Sequence, residues 1–406
     1  MATTFASPPQ RILPDATAAP EPLWKESRPN SRYTVDGSED LEARLQRSSE
    51  LIKETLLAAL PPDSIEGLLL GGGYGRGEGG VLRDSEGDHP YNDLEFYLFV
   101  RGDRHLFDHR FGDILRRLSH DIASAAGIEI ELKVLTFSAL HRAPISMFFY
   151  DMIVGHKWLI GSVELLRCCE HHRAAHLLPV SEATRLLMNR CSGLLFAREQ
   201  LAAQPFTAEN ADFIRRNIRK AQLAFGDAVL ATFGRYHWSC RERHQRLRNF
   251  TVPLPWRADL LDHHRYGIEF KLHPFRSRES REQLEGDLNG VIALAGELWL
   301  WLESRRLRHS FISPRHYATS PRPKWPDTNS VRNALLNLKL FRGPLLRDAF
   351  RHPRERILES LALLLWEPLA LSDSSLRNLL SSNLRAQVTD RSATVQRYRQ
   401  LWSLVS

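Results

Sequence analysis

Seven of the ten residues from Gly71 to Gly80 (GGGYGRGEGG) are glycine, and they follow directly on the apolar run Leu68-Leu69-Leu70. A short buried strand that empties into consecutive glycines frees the backbone to turn sharply and to present bare N–H groups, a cradle for an anion. The next apolar stretch, Asn92 to Val100 (NDLEFYLFV), reads as a second strand. Alternation puts Leu94, Phe96, Leu98 and Val100 on one face, and Asp93 and Glu95 together on the other. Phe107, Phe111, Ile114, Leu115, Leu118 and Ile122 then recur at helical spacing up to Gly127. Ile128 to Leu135 (IEIELKVL) alternates strictly, a third strand with an apolar and a charged face.

The 406 residues are too many for one compact core. Residues 1–37, rich in Pro, Ala and Ser, predict a disordered arm. A helix follows from Ser38, with Leu41, Leu45, Leu51, Ile52, Leu56, Leu57 and Leu60 recurring at spacings of three, four and seven, and Pro61-Pro62-Asp63 stops it. Beyond residue 178 no strand pattern appears. Helices are predicted from about Ser181, over Ala208 to Phe233 and over Arg281 to Arg308, with Ser313 to Pro326 as a linker and three or four helices after it. The expected organisation is an arm (1–37), an α+β domain of a mixed sheet flanked by helices (38–178), a helical domain (179–315) and an all-α C-terminal region (316–406). No apolar run reaches the roughly 18–20 residues of a bilayer span. The N-terminus lacks a signal-peptide core, and four cysteines form no disulfide framework. A cytoplasmic protein with no membrane partner is expected.

Charge is divided unevenly. Residues 1–178 hold 19 Lys and Arg against 26 Asp and Glu, whereas 179–406 hold 36 against 22. An acidic front and a basic back suit an anion held between them with a cation. Asp93 and Glu95, one residue apart on a strand, project to the same side, and a carboxylate of the third strand joins them. Such oxygens select Mg²⁺ (or Mn²⁺), which takes its remaining ligands from water and phosphate. Gly72 and Gly73 offer N–H groups beside that metal, and Arg76 adds a forked phosphate donor. These are the parts of two-metal phosphoryl transfer.

At these residues the chain resembles the nucleotidyltransferases of the DNA polymerase β superfamily. Gly72-Gly73-Tyr74-Gly75-Arg76-Gly77 is similar to their Gly-Ser-x-Ala-Arg-Gly form, Asn92-Asp93-Leu94-Glu95 to their Ser-Asp-hydrophobic-Asp segment, and Ile130-Glu131-Leu132 to the strand of the third acid. Tyr150-Asp151-Met152 with Gly155-His156-Lys157 resembles the strand pair that closes that fold. The resemblance covers residues 38–178. It implies a polymerase-β-type domain with Asp93, Glu95 and Glu131 as catalytic metal ligands; Glu131 fits the register better than Glu129, although both share one strand face. It also implies Gly72, Gly73 and Arg76 as holders of an NTP, ATP foremost. The insert Glu78 to Asn92 carries acids of its own, Asp84, Glu86 and Asp88.

On the long helix Lys220 and Asp227 lie two turns apart on one side, with Arg216 in the same row. Lys220 is read as a phosphate ligand and Asp227 as an acceptor-side residue; Asn189-Arg190 could join them. Cys168-Cys169-Glu170-His171-His172 lacks the four spaced ligands of a zinc site and reads as a helix end. His263-His264 reads as a surface pair, and Arg241, Arg243, Arg246 and Arg248 as a basic helix end and loop serving fold or solubility rather than a single-strand binder. The expected activity is Mg²⁺-dependent transfer of a nucleoside monophosphate from NTP to a hydroxyl of a small molecule or protein, with release of pyrophosphate. The alternatives are a non-catalytic nucleotide-sensing or interaction module of the same fold, and an RNA-end nucleotidyltransferase using the basic half.

Overall fold

The computed structural model describes residues 32–326, 328–341 and 349–405. Residues 1–31 of the expected arm lie outside them. Residues 32–37 do not behave as an arm. Tyr33 and Thr34 are buried because Glu42 accepts from both backbone N–H groups, at 2.7 and 2.9 Å. Thr34 bridges Gly79, so this short segment props the glycine loop from behind.

The first unit runs α1 (Glu39–Ala59), β1 (Ile65–Leu70), the one-turn α2 (Gly72–Gly75), β2 (Val81–Asp84), β3 (Gly87–Pro90), β4 (Asp93–Val100), α3 (Arg104–Ala126), β5 (Glu129–Leu135), α4 (Phe137–Arg142), α5 (Met147–Val154) and β6 (Lys157–Ile160). Ser38 caps α1 by accepting from the Leu41 N–H. Asp103 caps α3, and Gly127 ends it in the left-handed conformation at φ 66°. The insert is the β2–β3 hairpin, whose acids serve the fold: Asp88 accepts from Ser38 and pairs with Arg83, and Asp84 meets His89. Tyr150 to Met152, expected as a strand, lie in α5. Ser146 caps that helix, and its MFFYDMIV sequence lacks polar alternation, so only Lys157–Ile160 closes the sheet.

Sheet order is β5-β4-β1-β6, with β4 and β5 parallel and the other pairs antiparallel. The parallel pair is connected through α3, as a crossover requires. Leu68, Leu70, Leu94, Phe96, Leu98, Val100, Ile130 and Val134 form one buried face with Leu41, Ile52 and Leu56 of α1 and Phe107, Leu115 and Ile122 of α3. Each such side chain contributes about 1.5–3 kcal/mol of burial. On the opposite face Leu69, Tyr97 and Phe99 are covered by Leu140 of α4 and by Met152 and Ile153 of α5. That cover stops short of the β4 N-terminus, leaving Asp93 and Glu95 uncapped.

The rest of the described chain is helical: α6 (Val180–Leu201), α7 (Ala208–Thr232), α8 (Cys240–Arg248), α9 (Arg257–Leu272), α10 (Arg281–Leu307), α11 (Pro314–Thr319), α12 (Ser330–Phe341), α13 (Pro353–Trp366), α14 (Ser374–Leu384) and α15 (Arg391–Val405). One apolar cluster extends from Leu187 and Leu195 of α6 through Ile218 and Phe225 of α7 and Leu298 of α10 to Leu361 of α13 and Leu401 of α15. The core is therefore continuous across the boundary expected at 315/316. The supposed linker Ser313 to Pro326 is a packed staple. Tyr317 is fully buried and donates to Glu303, and Lys324 is buried 3.6 Å from Glu359 with its ammonium on the Ser320 and Arg322 carbonyls. Prolines end helices without requiring that the chain leave the core.

Gly75 packs directly against backbone. A Cβ there would stand 2.2 Å from the Leu70 carbonyl oxygen, which is backbone and cannot rotate away. Gly75→Ala is expected to cost about 1–3 kcal/mol, read as a lower denaturant midpoint at unchanged slope.

Candidate functional site

The parallel register sets Glu95 beside Glu131 and Asp93 beside Glu129, with all four on one face. Asp93, Glu95 and Glu131 line a cleft of about 380 Å³ between the sheet and the helical unit; Glu129, at the exposed strand start, does not. Asn92 takes a positive φ of 76°, tolerated by Asn, and donates to the Asp93 carboxylate. Burial first, then the charges of Glu95 and Glu131, push the Asp93 carboxyl above its usual range.

The glycine loop crosses the same cleft. The Gly71 N–H donates to the Glu95 carbonyl at 2.8 Å, and Gly72 turns at φ 60° so close to Glu95 that a Cβ would lie 2.4 Å from its Oε1. Gly72 thus serves the approach of loop to carboxylate, while Gly73, Gly79 and Gly80 face the cleft itself. Tyr74 closes the loop: its hydroxyl donates to the Gly80 carbonyl at 2.8 Å and accepts from the Tyr91 N–H at 2.7 Å. Glu78 fastens the loop to the helical unit. Its carboxylate accepts from the Ser239 hydroxyl (2.5 Å) and the Cys240 N–H (2.9 Å) at the start of α8, and pairs with Lys271 of α9 at 3.4 Å. Lys271 and the hydrogen bonds of Ser239 and Cys240 hold that carboxyl far below its usual range, although burial opposes them.

The facing wall comes from α6, α7 and α9 and is basic: Arg190, Arg219, Lys220 and Lys271. Arg219 donates to Gln222, but Arg190 and Lys220 form no hydrogen bond or ion pair with any described residue. Lys220 opens on the cleft. Desolvation by the surrounding walls, with Arg190 and Arg216 nearby, lowers its ammonium to about 8 against the pull of Asp93 and Glu95. Tyr91 and Phe270, edge to face at 6.1 Å, supply an aromatic flank.

Of the residues predicted for the site, Gly73, Arg76, Asp93, Glu95, Glu131 and Lys220 meet in this cleft, and Arg190 joins them. Gly72 lies behind Glu95. Arg76 also departs in part from expectation, because its guanidinium is tied to Asp151 at 3.3 Å. Asp227 does not line the cleft. It is buried, 2.6 Å from Arg243 Nε and 3.1 Å from His264 Nε2. The same pairing overturns the surface reading of His264, which is fully buried, and gives Arg243 of the basic helix end a structural role as a buried partner. Cys168 to His172 fall in a 3-10 segment (Val163–Arg173) in which His172 bonds the Leu140 carbonyl. Arg219, Lys271, Tyr91 and Phe270 escaped sequence reading. Only Tyr91, next to Asn92-Asp93, carried a local signal; the others depend on how α7 and α9 cross the sheet.

Lys133 stands among these acids. The three acids are not free of cations, since the Lys133 ammonium is 2.9 Å from Glu131 Oε2 and 3.9 Å from Glu95 Oε2. Among the described residues no three acidic, His or Cys side chains stand round a common point as a formed metal centre would. In chemistry the donor set still fits a hard divalent cation: three carboxylates on adjacent strands, one of them held above its usual range by burial and then by the charge of its neighbours. No helix of the described residues is long and apolar enough to cross a membrane.

No model of a known protein family, no curated protein and no solved structure matches the chain.

Proposed function

We propose that this chain is a divalent-metal-dependent nucleotidyltransferase with a polymerase-β-type domain over residues 38–178. It would transfer a nucleoside monophosphate from NTP to an acceptor hydroxyl and release pyrophosphate. One observation carries the reading: in a single cleft, carboxylates of β4 and β5 face Arg190 and Lys220, which pair with no described residue. Opposite charges that could have paired but remain apart leave room for a ligand bearing both signs, and a metal–triphosphate complex is one.

Asp93, Glu95 and Glu131 would hold the metal, which supplies charge neutralisation and a more acidic acceptor hydroxyl when bound. The residues of the chain do the rest. Gly73, Gly79 and Gly80 keep the loop free of side chains where the triphosphate would lie. Lys220 and Arg190 present donors to its oxygens from the helical wall, pre-positioned on rigid helices. Tyr74 and Glu78 fix the loop to the hairpin and to α8, so that its backbone is set before substrate arrives. Arg76, tied to Asp151, acts on phosphate only at long range or after leaving that partner.

Lys220→Met is expected to weaken Mg²⁺–ATP binding about ten- to a hundredfold, the loss of one charge-assisted contact, in calorimetric titration. Unaltered affinity would remove Lys220 from the site.

A second reading rests on Lys133. An ammonium already on Glu131 and close to Glu95 is what a non-catalytic nucleotide-binding module would use in place of a metal. It differs from the first in one property: such a module binds NTP without divalent ions.

A further inference from the structure

Lys133 is the third charged residue on the face of β5 that carries Glu129 and Glu131, and the register sets it beside Tyr97, two residues along β4 from Glu95. Its ammonium touches Glu131 at 2.9 Å, reaches Glu95 at 3.9 Å, and lies over the rings of Tyr97 (5.6 Å) and Phe148 (5.5 Å). Those rings meet edge to face at 5.7 Å, and the Tyr97 hydroxyl donates to Glu95 Oε2 at 2.9 Å. The carboxylate pair thus has a neutral donor on one side and a cation on the other. Lys133 is 37% exposed, on an edge strand.

We propose that Lys133 is a displaceable counter-cation of the acidic wall, whose ammonium gives up Glu95 and Glu131 to a divalent ion and so weakens the resting affinity of the cleft for metal. The inference rests on the proposed metal–nucleotide reading of the cleft and adds a residue that sets its metal threshold. Two carboxylates on adjacent strands repel when nothing positive stands near them, and the Lys133 ammonium supplies that charge. An exposed ammonium–carboxylate pair is weak and the side chain long, so it yields readily. Once a doubly charged hard ion sits on the same oxygens, the ammonium adds only repulsion. Lys133 is therefore a positioning residue that holds the wall together before metal arrives and competes when it does.

The test is Mn²⁺ binding without nucleotide, followed by the electron-paramagnetic signal of free Mn²⁺, on wild type, Lys133→Met and Lys133→Arg. Lys133→Met keeps the length and apolar packing but removes the charge, and is expected to bind Mn²⁺ about five- to twentyfold more tightly, as a unit charge near a divalent ion in a water-rich setting implies. Lys133→Arg should stay near wild type. Thermal melting gives a second readout: Mn²⁺ should raise the melting temperature of Lys133→Met more than that of wild type. Equal or weaker Mn²⁺ affinity in Lys133→Met overturns the role of Lys133 alone. Absence of Mn²⁺ binding in all three proteins overturns both this inference and the metal-dependent reading beneath it.

Discussion

Replacing Asp93 by Asn together with Glu95 by Gln is expected to reduce nucleotidyl transfer at least about a thousandfold while leaving the protein folded. Metal sites of this kind supply several kcal/mol to the transition state, and groups acting as one unit fail together. Both substitutions keep side-chain shape. Glu95→Gln can still accept from the Tyr97 hydroxyl, and the Asn92 amide at Asp93 can still be satisfied. Neutralising two repelling carboxylates should, if anything, stabilise the empty protein, because burial and neighbouring charge already disfavour the Asp93 anion. Circular dichroism and melting temperature are the controls for folding. A variant that transfers label at the wild-type rate would remove the acidic wall from the chemistry.

Asp227→Ala should do the reverse, costing about 3–5 kcal/mol of stability while transfer per folded molecule is kept within a few-fold. Asp227 is 8% exposed and pairs with Arg243, 4% exposed, and with His264, fully buried. Deleting the carboxylate leaves a guanidinium uncompensated in the interior, and that desolvation sets the cost. Burial opposes ionisation of Asp227, but Arg243 and His264 prevail and hold its carboxyl below the ordinary range. A depressed folded value means that this contribution is present above about pH 4 and is lost as the solution is acidified further. Asp227→Ala combined with Arg243→Met should recover part of the loss in chemical denaturation. Intact stability with abolished transfer would return Asp227 to the acceptor side.

Much of the first unit was legible because its strands and helices obey local rules. The alternation of Ile128 to Leu135, the stripe from Phe107 to Ile122 and the glycine at 127 each fix an element without help from the rest of the chain. That Asp93, Glu95 and Glu131 line one cleft followed from those elements, since parallel pairing of β4 and β5 sets Glu95 beside Glu131 on the face that carries Asp93. What was illegible depended on distant partners. Asp227 and Lys220 occupy similar positions on one helix, yet one faces the cleft and the other is buried because Arg243 of α8 and His264 of α9 pack over it. Tyr317 and Lys324 sit in a proline-rich run that reads as solvent-exposed until Glu303 and Glu359 are seen waiting for them. Lys133 was visible on the same strand face as Glu131, but only coordinates show its ammonium shared with Glu95.

The most direct measurement follows the two ends of the triphosphate separately. The protein is incubated with Mg²⁺ and NTP labelled at the α or the γ phosphorus, alone and with cell extract. Nucleotidyl transfer places the α label on an acceptor and the γ label in pyrophosphate. Appearance of the γ label on the acceptor, or retention of both labels in intact NTP under every condition, would contradict it.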